Sequence, residues 1–200
     1  MKDINIIITG VGGQGVVSAG TIIGNAALKN GLKVVMSEIH GMAQRGGIVS
    51  VDLRIGDVYG PIIPDGMADL IIGFESMETL RALKRASMDT IVIMNTERIV
   101  PFTVNVGDFE YPKIEKIVEK IGGKNIIGID ALDIAKRAGN VLSVNVVMVG
   151  AAYSTGILPL KEEDIEKSIM DHFPKNTWES NLKAFRMGME QYRILREAYL

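Results

Sequence analysis

Residues 4–15 read INIIITGVGGQG, and residues 16–31 continue VVSAGTIIGNAALKNG. The run Ile4–Thr9 is short and apolar and ends at a glycine cluster, the pattern of a buried parallel strand. Val16–Asn30 has helix length and closes at Gly31, a residue suited to the left-handed position after a helix. Within it Ala19, Gly20, Gly24 and Ala27 recur three or four apart, so the helix can lie close on a sheet. Lys33–Ile39 reads as a second strand. Strand, glycine loop, helix and strand follow one another as in a βαβ unit.

Outward from this unit, Gly41–Gly47 (GMAQRGG) is a loop. Ile48–Ile55 alternates Val49, Val51, Leu53 and Ile55 with Ser50, Asp52 and Arg54, a half-exposed strand expected to run antiparallel to a neighbour. A turn at Gly56-Asp57 leads into an extended stretch, Val58–Ile63. Ala68–Phe74 and Thr90–Asn95 are further buried strands, with a helix near Met77–Arg85 between them. Pro101–Glu110 reads as irregular or a short hairpin, Lys113–Ile121 as a helix, Asn125–Asp130 as a strand and Ala131–Ala138 as a short helix. Leu142–Thr155 is an apolar buried helix and Lys161–Asp171 an amphipathic one. In the last helix Trp178, Leu182, Phe185, Met189, Tyr192 and Leu195 form one stripe, core or partner-facing, behind a capping box of Asn176 and Glu179. A single domain over 1–200 is expected: α/β, three-layered, with a mostly parallel mixed sheet and a helical C-terminus.

Composition excludes several chemistries. The chain has no cysteine, which removes disulfides, thiolate zinc sites, a cysteine nucleophile and a cysteine-held iron–sulfur cluster. Two histidines, His40 and His172, argue against a multi-histidine metal site; both read as structural. A net charge of −2 speaks against wholesale binding of nucleic acid through its phosphates. Residues 138–160 carry no formal charge but contain Asn140, Ser143, Asn145, Ser154, Thr155 and Pro159 besides three glycines, and read as loop, buried helix and loop rather than a membrane span. No signal segment is evident at Met1-Lys2-Asp3, and a cytoplasmic location is expected.

The first loop satisfies G-x-G-x-x-G at Gly10, Gly12 and Gly15, with Gly13 and Gln14 between them. Glycines allow a tight turn and close ligand approach, and a helix N-terminus offers free N–H groups to a phosphate. Glu38, 23 residues after Gly15, stands where an acid would bind ribose hydroxyls in a dinucleotide site. The same glycines would also serve a strand-to-helix turn with no ligand. In the second loop Gln44 and Arg45 sit among glycines; Arg45 can clamp a phosphate or carboxylate, or simply be solvated. Because the two strands before these loops should be parallel, both loops should leave at the same sheet edge and line one crevice. Glu75, just after a strand, reads as a helix cap. No nucleophile–base pair or paired carboxylates stand out.

Taken together, GVGGQGVVSAGTIIGNAA, SEIHGMAQRGGIVSVDLRIG, DLIIGFESMETLRAL, NVVMVGAA and the last-helix residues Asn181, Ala184, Phe185 and Gly188 resemble the gamma subunit or domain of 2-oxoacid:ferredoxin oxidoreductases, and within it the small subunit of the indolepyruvate enzymes. The resemblance runs from about Asn5 to Gly188. It implies a Rossmann-like domain that has no catalytic residue of its own and docks on a large alpha subunit. It implies that the alpha subunit carries thiamine diphosphate and [4Fe–4S] clusters, that arylpyruvates such as indolepyruvate are decarboxylated to acyl-CoA, and that ferredoxin is reduced through the complex. It further implies a surface facing coenzyme A or the partner, built from Gly10, Gly12, Gly13, Gln14, Gly15, Gln44 and Arg45, and self-association of the isolated chain. The competing readings are an NAD(P)-dependent dehydrogenase using Glu38, and a nucleotide-binding regulator.

Overall fold

The computed structural model describes residues 2–41, 47–97 and 125–198. Their elements are β1 (Ile4–Val11), α1 (Val16–Lys29), β2 (Val34–His40), β3 (Ile48–Ile55), β4 (Ala68–Gly73), α2 (Ser76–Ala82), β5 (Ala86–Asn95), β6 (Ile126–Ile129), α3 (Ala131–Ala138), α4 (Val144–Ser154), α5 (Glu162–His172) and α6 (Trp178–Ala198). The strands form one sheet in the order β2-β3-β1-β4-β5-β6. β1, β4, β5 and β6 pair in parallel, whereas β3 is antiparallel to both β1 and β2. β2 therefore runs in the direction of β1 but one strand removed from it. The fold is the expected α/β mixed sheet, with one difference inside the first unit: β3 is wedged between the two strands that α1 connects.

Among the described residues the two faces of the sheet are filled unequally. Ile6, Ile8, Val51, Leu53, Leu70, Ile72 and Ile93 point to a large core shared with α1, α3, α4, α5 and α6. The other face buries Ile7, Ile71, Val92 and Ile126 beneath Ile63 and Ala82. β1 is thus buried on both sides, which is why its sequence is largely apolar. On the thinner face Asp52 is buried and receives both terminal nitrogens of Arg85, together with the N–H of Ile63 at 2.9 Å. Its position on the polar side of an alternating strand would have suggested solvent; the Arg85 fork and the Ile63 amide satisfy it instead.

Small residues set the helix approaches. A Cβ on Gly20 would lie 3.0 Å from Val51 Cγ1, so the α1 glycines do let the helix settle on β3. At the crossing of α4 and α6 the fit is tighter: a Cβ on Gly150 would fall 2.0 Å from the Phe185 carbonyl oxygen, and one on Gly188 2.1 Å from that of Val147. Ser143 donates to Asn181 Oδ1 across this crossing at 2.5 Å. Phe185, Met189 and Tyr192 are buried here, which places the C-terminal stripe in the core.

Several boundaries differ from the sequence expectation. β1 continues through Gly10 to Val11 because both residues pair with β3, at Val49 and Ile48. β5 begins at Ala86, and its pairing with β4 is interrupted where Ser87 N–H bonds Thr90 Oγ1 and that hydroxyl bonds the Ala68 carbonyl. α2 tightens into a 3₁₀ turn at Leu83–Arg85. α6 starts from a 3₁₀ turn, Lys175–Thr177, in place of the expected capping box; Ser180 Oγ donates to the Thr177 carbonyl and Trp178 Nε1 to that of Phe173. The apolar stretch is a 3₁₀ turn followed by the 11-residue α4. Among the described residues no helix is long and apolar enough to cross a membrane. The segments expected at 101–110 and 113–121 lie outside the described residues.

Candidate functional site at the carboxyl edge of the sheet

β1 ends where the glycine loop begins, and the loop is built around Gln14. Its Oε1 accepts from the Val11 N–H at 2.8 Å and its Nε2 donates to the Phe74 carbonyl at 2.9 Å. The side chain thus ties the end of β1 to the end of β4, turned inward rather than toward a ligand. Gly10 makes this possible, since a Cβ there would lie 2.6 Å from Gln14 Oε1 and 2.8 Å from Phe74 Cβ. Gly12 and Gly13 are exposed. Gly13 and Gly15 have φ of +97° and +80°, the left-handed region that favours glycine. Gly15 is the N-cap of α1 and offers no side-chain acceptor, so the first-turn N–H groups remain available. The loop therefore presents backbone donors, aided by the positive end of the helix dipole.

The second loop joins β2 to β3. Its stem closes on a bond from the Gly41 N–H to the Ile48 carbonyl, 2.7 Å, and touches the first loop through a bond from the Gly12 N–H to the Gly47 carbonyl, 2.9 Å. The stems of both loops thus meet at one sheet edge. Gln44 and Arg45 lie outside the described residues.

Glu38 does not stand where a dinucleotide site would need it. It is level with Val51 and, through β3, with Ile8. Two strand spacings, about 10 Å, separate it from β1. Its carboxylate instead meets His40 Nε2 at 3.0 Å, so His40 has an acidic partner that the sequence did not reveal, two residues away on the same side of an exposed strand. His172 stacks edge-on against Phe173, and burial pushes its pKa down.

Beside the loop, Glu75 is fully buried and caps α2, its Oε2 accepting from the Glu78 N–H at 3.0 Å. Glu78 is buried too, and that burial raises its carboxyl pKa, opposed by the Arg81 guanidinium paired with it. Asn95, at the end of β5, accepts from the Ala131 N–H at 3.2 Å and so fastens α3 to the same edge. Missing from the sequence reading was Asn145, at the start of α4: a Cβ on Gly15 would lie 2.7 Å from its Nδ2. The signal was present, a polar residue in the otherwise apolar run VNVVMVGAA.

At the opposite, amino edge a cleft of about 390 Å³ is lined by Lys2, Asn5, Arg54 and Asp69 among others. Two of its polar side chains are engaged within it: Lys2 pairs with Asp69 at 2.8 Å, and Arg54 Nε donates to Asn5 Oδ1 at 2.8 Å. Such mutual pairing leaves little for a ligand, which keeps the glycine edge as the candidate site.

Residues 5–191 match the family model described as pyruvate ferredoxin/flavodoxin oxidoreductase. The chain is 47% identical over 186 residues to the indolepyruvate oxidoreductase subunit IorB of Methanothermobacter thermautotrophicus, spanning 92% of this chain and 95% of that subunit. It is 42% identical to the subunit of the same name from Thermococcus kodakarensis, spanning 95% and 96% of the two chains. Among solved structures, pyruvate oxidoreductase subunit PORC of Thermotoga maritima superposes with a TM-score of 0.72 at 30% identity, over 95% of this chain and 97% of that one. The fold also recurs in 2-oxoglutarate:ferredoxin oxidoreductase from Magnetococcus marinus, with a TM-score of 0.72 at 20% identity, where it covers 98% of this chain but 32% of that longer one. The chain belongs to the pyruvate ferredoxin/flavodoxin oxidoreductase family.

Proposed function

We propose that the chain is the small subunit of a 2-oxoacid:ferredoxin oxidoreductase working in the cytoplasm, with arylpyruvates such as indolepyruvate as its substrates. It acts only in complex with a large alpha subunit, which supplies thiamine diphosphate for decarboxylation and [4Fe–4S] clusters for one-electron transfer to ferredoxin. The absence of cysteine fits this division, since the chain cannot ligate such a cluster. The observation that carries the reading is the carboxyl-edge surface itself: exposed Gly12 and Gly13, an uncapped α1, and a Gln14 side chain spent on holding the loop in shape. Among the described residues this surface offers backbone donors that can bind and orient a ligand.

The glycine loop, with Gln44 and Arg45 of the adjoining loop, faces coenzyme A or the partner. Its backbone donors suit a phosphate, and Arg45 a second anionic group. The dehydrogenase alternative is disfavoured by the strand order, which sets Glu38 one strand too far from β1. Tyr59, Ile62, Met67 and Met88 are exposed and provide the apolar surface for self-association when the partner is missing.

Calorimetry of the purified chain with coenzyme A, NAD and NADP separates the readings. The subunit reading expects no binding of either nicotinamide nucleotide. Sub-micromolar NAD affinity that disappears in Glu38→Ala would establish the dehydrogenase in its place.

A further inference from the structure

β6 and β2 are the two edges of the sheet, and they differ in length and cover. β6 has four residues, of which Ile126, Ile127 and Ile129 are buried. β2 has seven, and from Glu38 onward, through Gly41, the chain is exposed. A long bare edge invites pairing with another chain, and proteins commonly guard it with proline, lysine, a bulge or a covering segment. Val34–His40 contains neither proline nor lysine, and its register with β3 runs without a shift. The Gly41 N–H bonds the Ile48 carbonyl and the Gly56 N–H bonds the Lys33 carbonyl, so the odd-numbered residues of β2 bond inward to β3. The main-chain N–H and C=O groups of Val34, Met36, Glu38 and His40 therefore point away from the sheet, where no strand of the described residues pairs with them.

The exposed half of this edge is complementary to itself. Glu38, Ile39 and His40 run acid, apolar, imidazole. Laid antiparallel against a second copy with Ile39 opposite Ile39, each Glu38 faces a His40. Glu38 already meets His40 of its own strand at 3.0 Å, so the four side chains alternate around a square, each carboxylate between two imidazoles. On the other face of the sheet the two Ile39 side chains, each 56% exposed in the single chain, meet as a non-hydrogen-bonded pair, the closer kind. Ile48, also exposed, lies beside Ile39 on that face. The same register sets even-numbered residues opposite one another. The outward groups of Glu38 and His40 then exchange four main-chain hydrogen bonds with those of the copy.

We propose that the β2 edge is an interface between two copies of this chain: they pair antiparallel through Glu38–His40 about a two-fold axis at Ile39, joining two six-stranded sheets into one. Such a contact is isologous, so one patch supplies both halves. The reciprocal match of Glu38 with His40 selects a second copy as the occupant, since a strand of another protein would have to carry the same order. The pairing goes beyond self-association through Tyr59, Ile62, Met67 and Met88, which sets no register. It rests on this chain's own edge and not on the identity of a large subunit. A few main-chain bonds and two small side-chain clusters make a modest interface, so the dimer depends on concentration.

The chain has no cysteine, so a single introduced thiol reports the contact cleanly. In the proposed register the two Ile39 Cα atoms stand about 4.5 Å apart, within disulfide reach. Under mild oxidant the purified full-length Ile39→Cys chain should form a covalent dimer about tenfold faster, or more, than Met88→Cys, whose exposed thiol reports encounters elsewhere. Sedimentation equilibrium supplies the second readout. His40→Glu sets carboxylates against one another and should raise the dimer dissociation constant about tenfold or more. Adding Glu38→His to that variant restores the reciprocal match and should return the constant to near the wild-type value. Cross-linking at Met88 in place of Ile39, a wild-type chain that stays monomeric, or a double variant as weak as His40→Glu alone would each overturn the proposal. All of these are read on the chain without its large subunit, so their failure leaves the subunit reading standing.

Discussion

Glycine does opposite work in two regions of this molecule. In the glycine loop, Gly12 and Gly13 are exposed, and a Cβ on Gly13 would meet nothing within 4 Å. There the missing side chain opens the backbone to an approaching group. At the crossing of α4 and α6, Gly150 and Gly188 are buried, and a Cβ on either would be driven into a carbonyl oxygen of the facing helix. There the missing side chain lets two helices touch. The first region is a surface held in shape by one inward-turned glutamine, and the second is a packed joint with no slack. Function is therefore expected to be sensitive at the loop and stability at the joint.

Placing the same methyl group in both regions separates them. Gly150→Ala should lose about 4 kcal/mol or more in denaturant unfolding, because the obstructing atom is backbone and cannot swing aside. A mild loss there would show that the joint is looser than described. Gln14→Ala comes next. It removes two hydrogen bonds and leaves the Val11 N–H and Phe74 carbonyl without their partner, a loss of about 1–3 kcal/mol by the same measurement. It should also blur the loop amides in NMR spectra, and unchanged spectra would mean that the glutamine does not hold the loop. Gly13→Ala should cost about 1 kcal/mol, from its positive φ alone. A loss as large as that of Gly150→Ala would erase the distinction.

Glu78→Gln gives the smallest effect and a pH signature. Burial raises the Glu78 pKa in the fold, so its neutral form is favoured there. The wild type then has the full contribution of this group below the unfolded carboxyl pKa and loses it as pH rises through the folded value. Thermal melts should show the variant gaining on the wild type across that window, with little difference at lower pH. An unchanging difference would mean that folding leaves the Glu78 pKa unshifted.

Much of the fold was readable because period and punctuation agreed. The apolar run Ile4–Thr9, the glycine cluster and the small-residue face of α1 each pointed to the same strand–loop–helix unit, and the structure builds it. The strand order was not readable. Alternation in Ile48–Ile55 marks an antiparallel strand, but nothing local says that β3 slots between β1 and β2. That one insertion changes the meaning of Glu38 from a ribose ligand to the partner of His40. At the candidate site the glycines were legible by type, whereas the inward turn of Gln14 depends on Phe74, 60 residues away, and the approach of Asn145 to Gly15 on a helix more than a hundred residues on. Long-range contacts of that kind leave at most a hint in sequence, here one polar residue in an apolar helix.

On the proposed reading this chain binds and positions but does not catalyse alone. The direct check is to assay reduction of a viologen dye by arylpyruvates, with coenzyme A and thiamine diphosphate present, for the purified chain, for its proposed large subunit, and for the two together. The expected result is no turnover and no iron–sulfur absorbance from the chain alone, and coenzyme A-dependent turnover when the two are combined. Turnover by the chain alone, or a large subunit whose coenzyme A-dependent rate is unchanged by adding the chain, would contradict it.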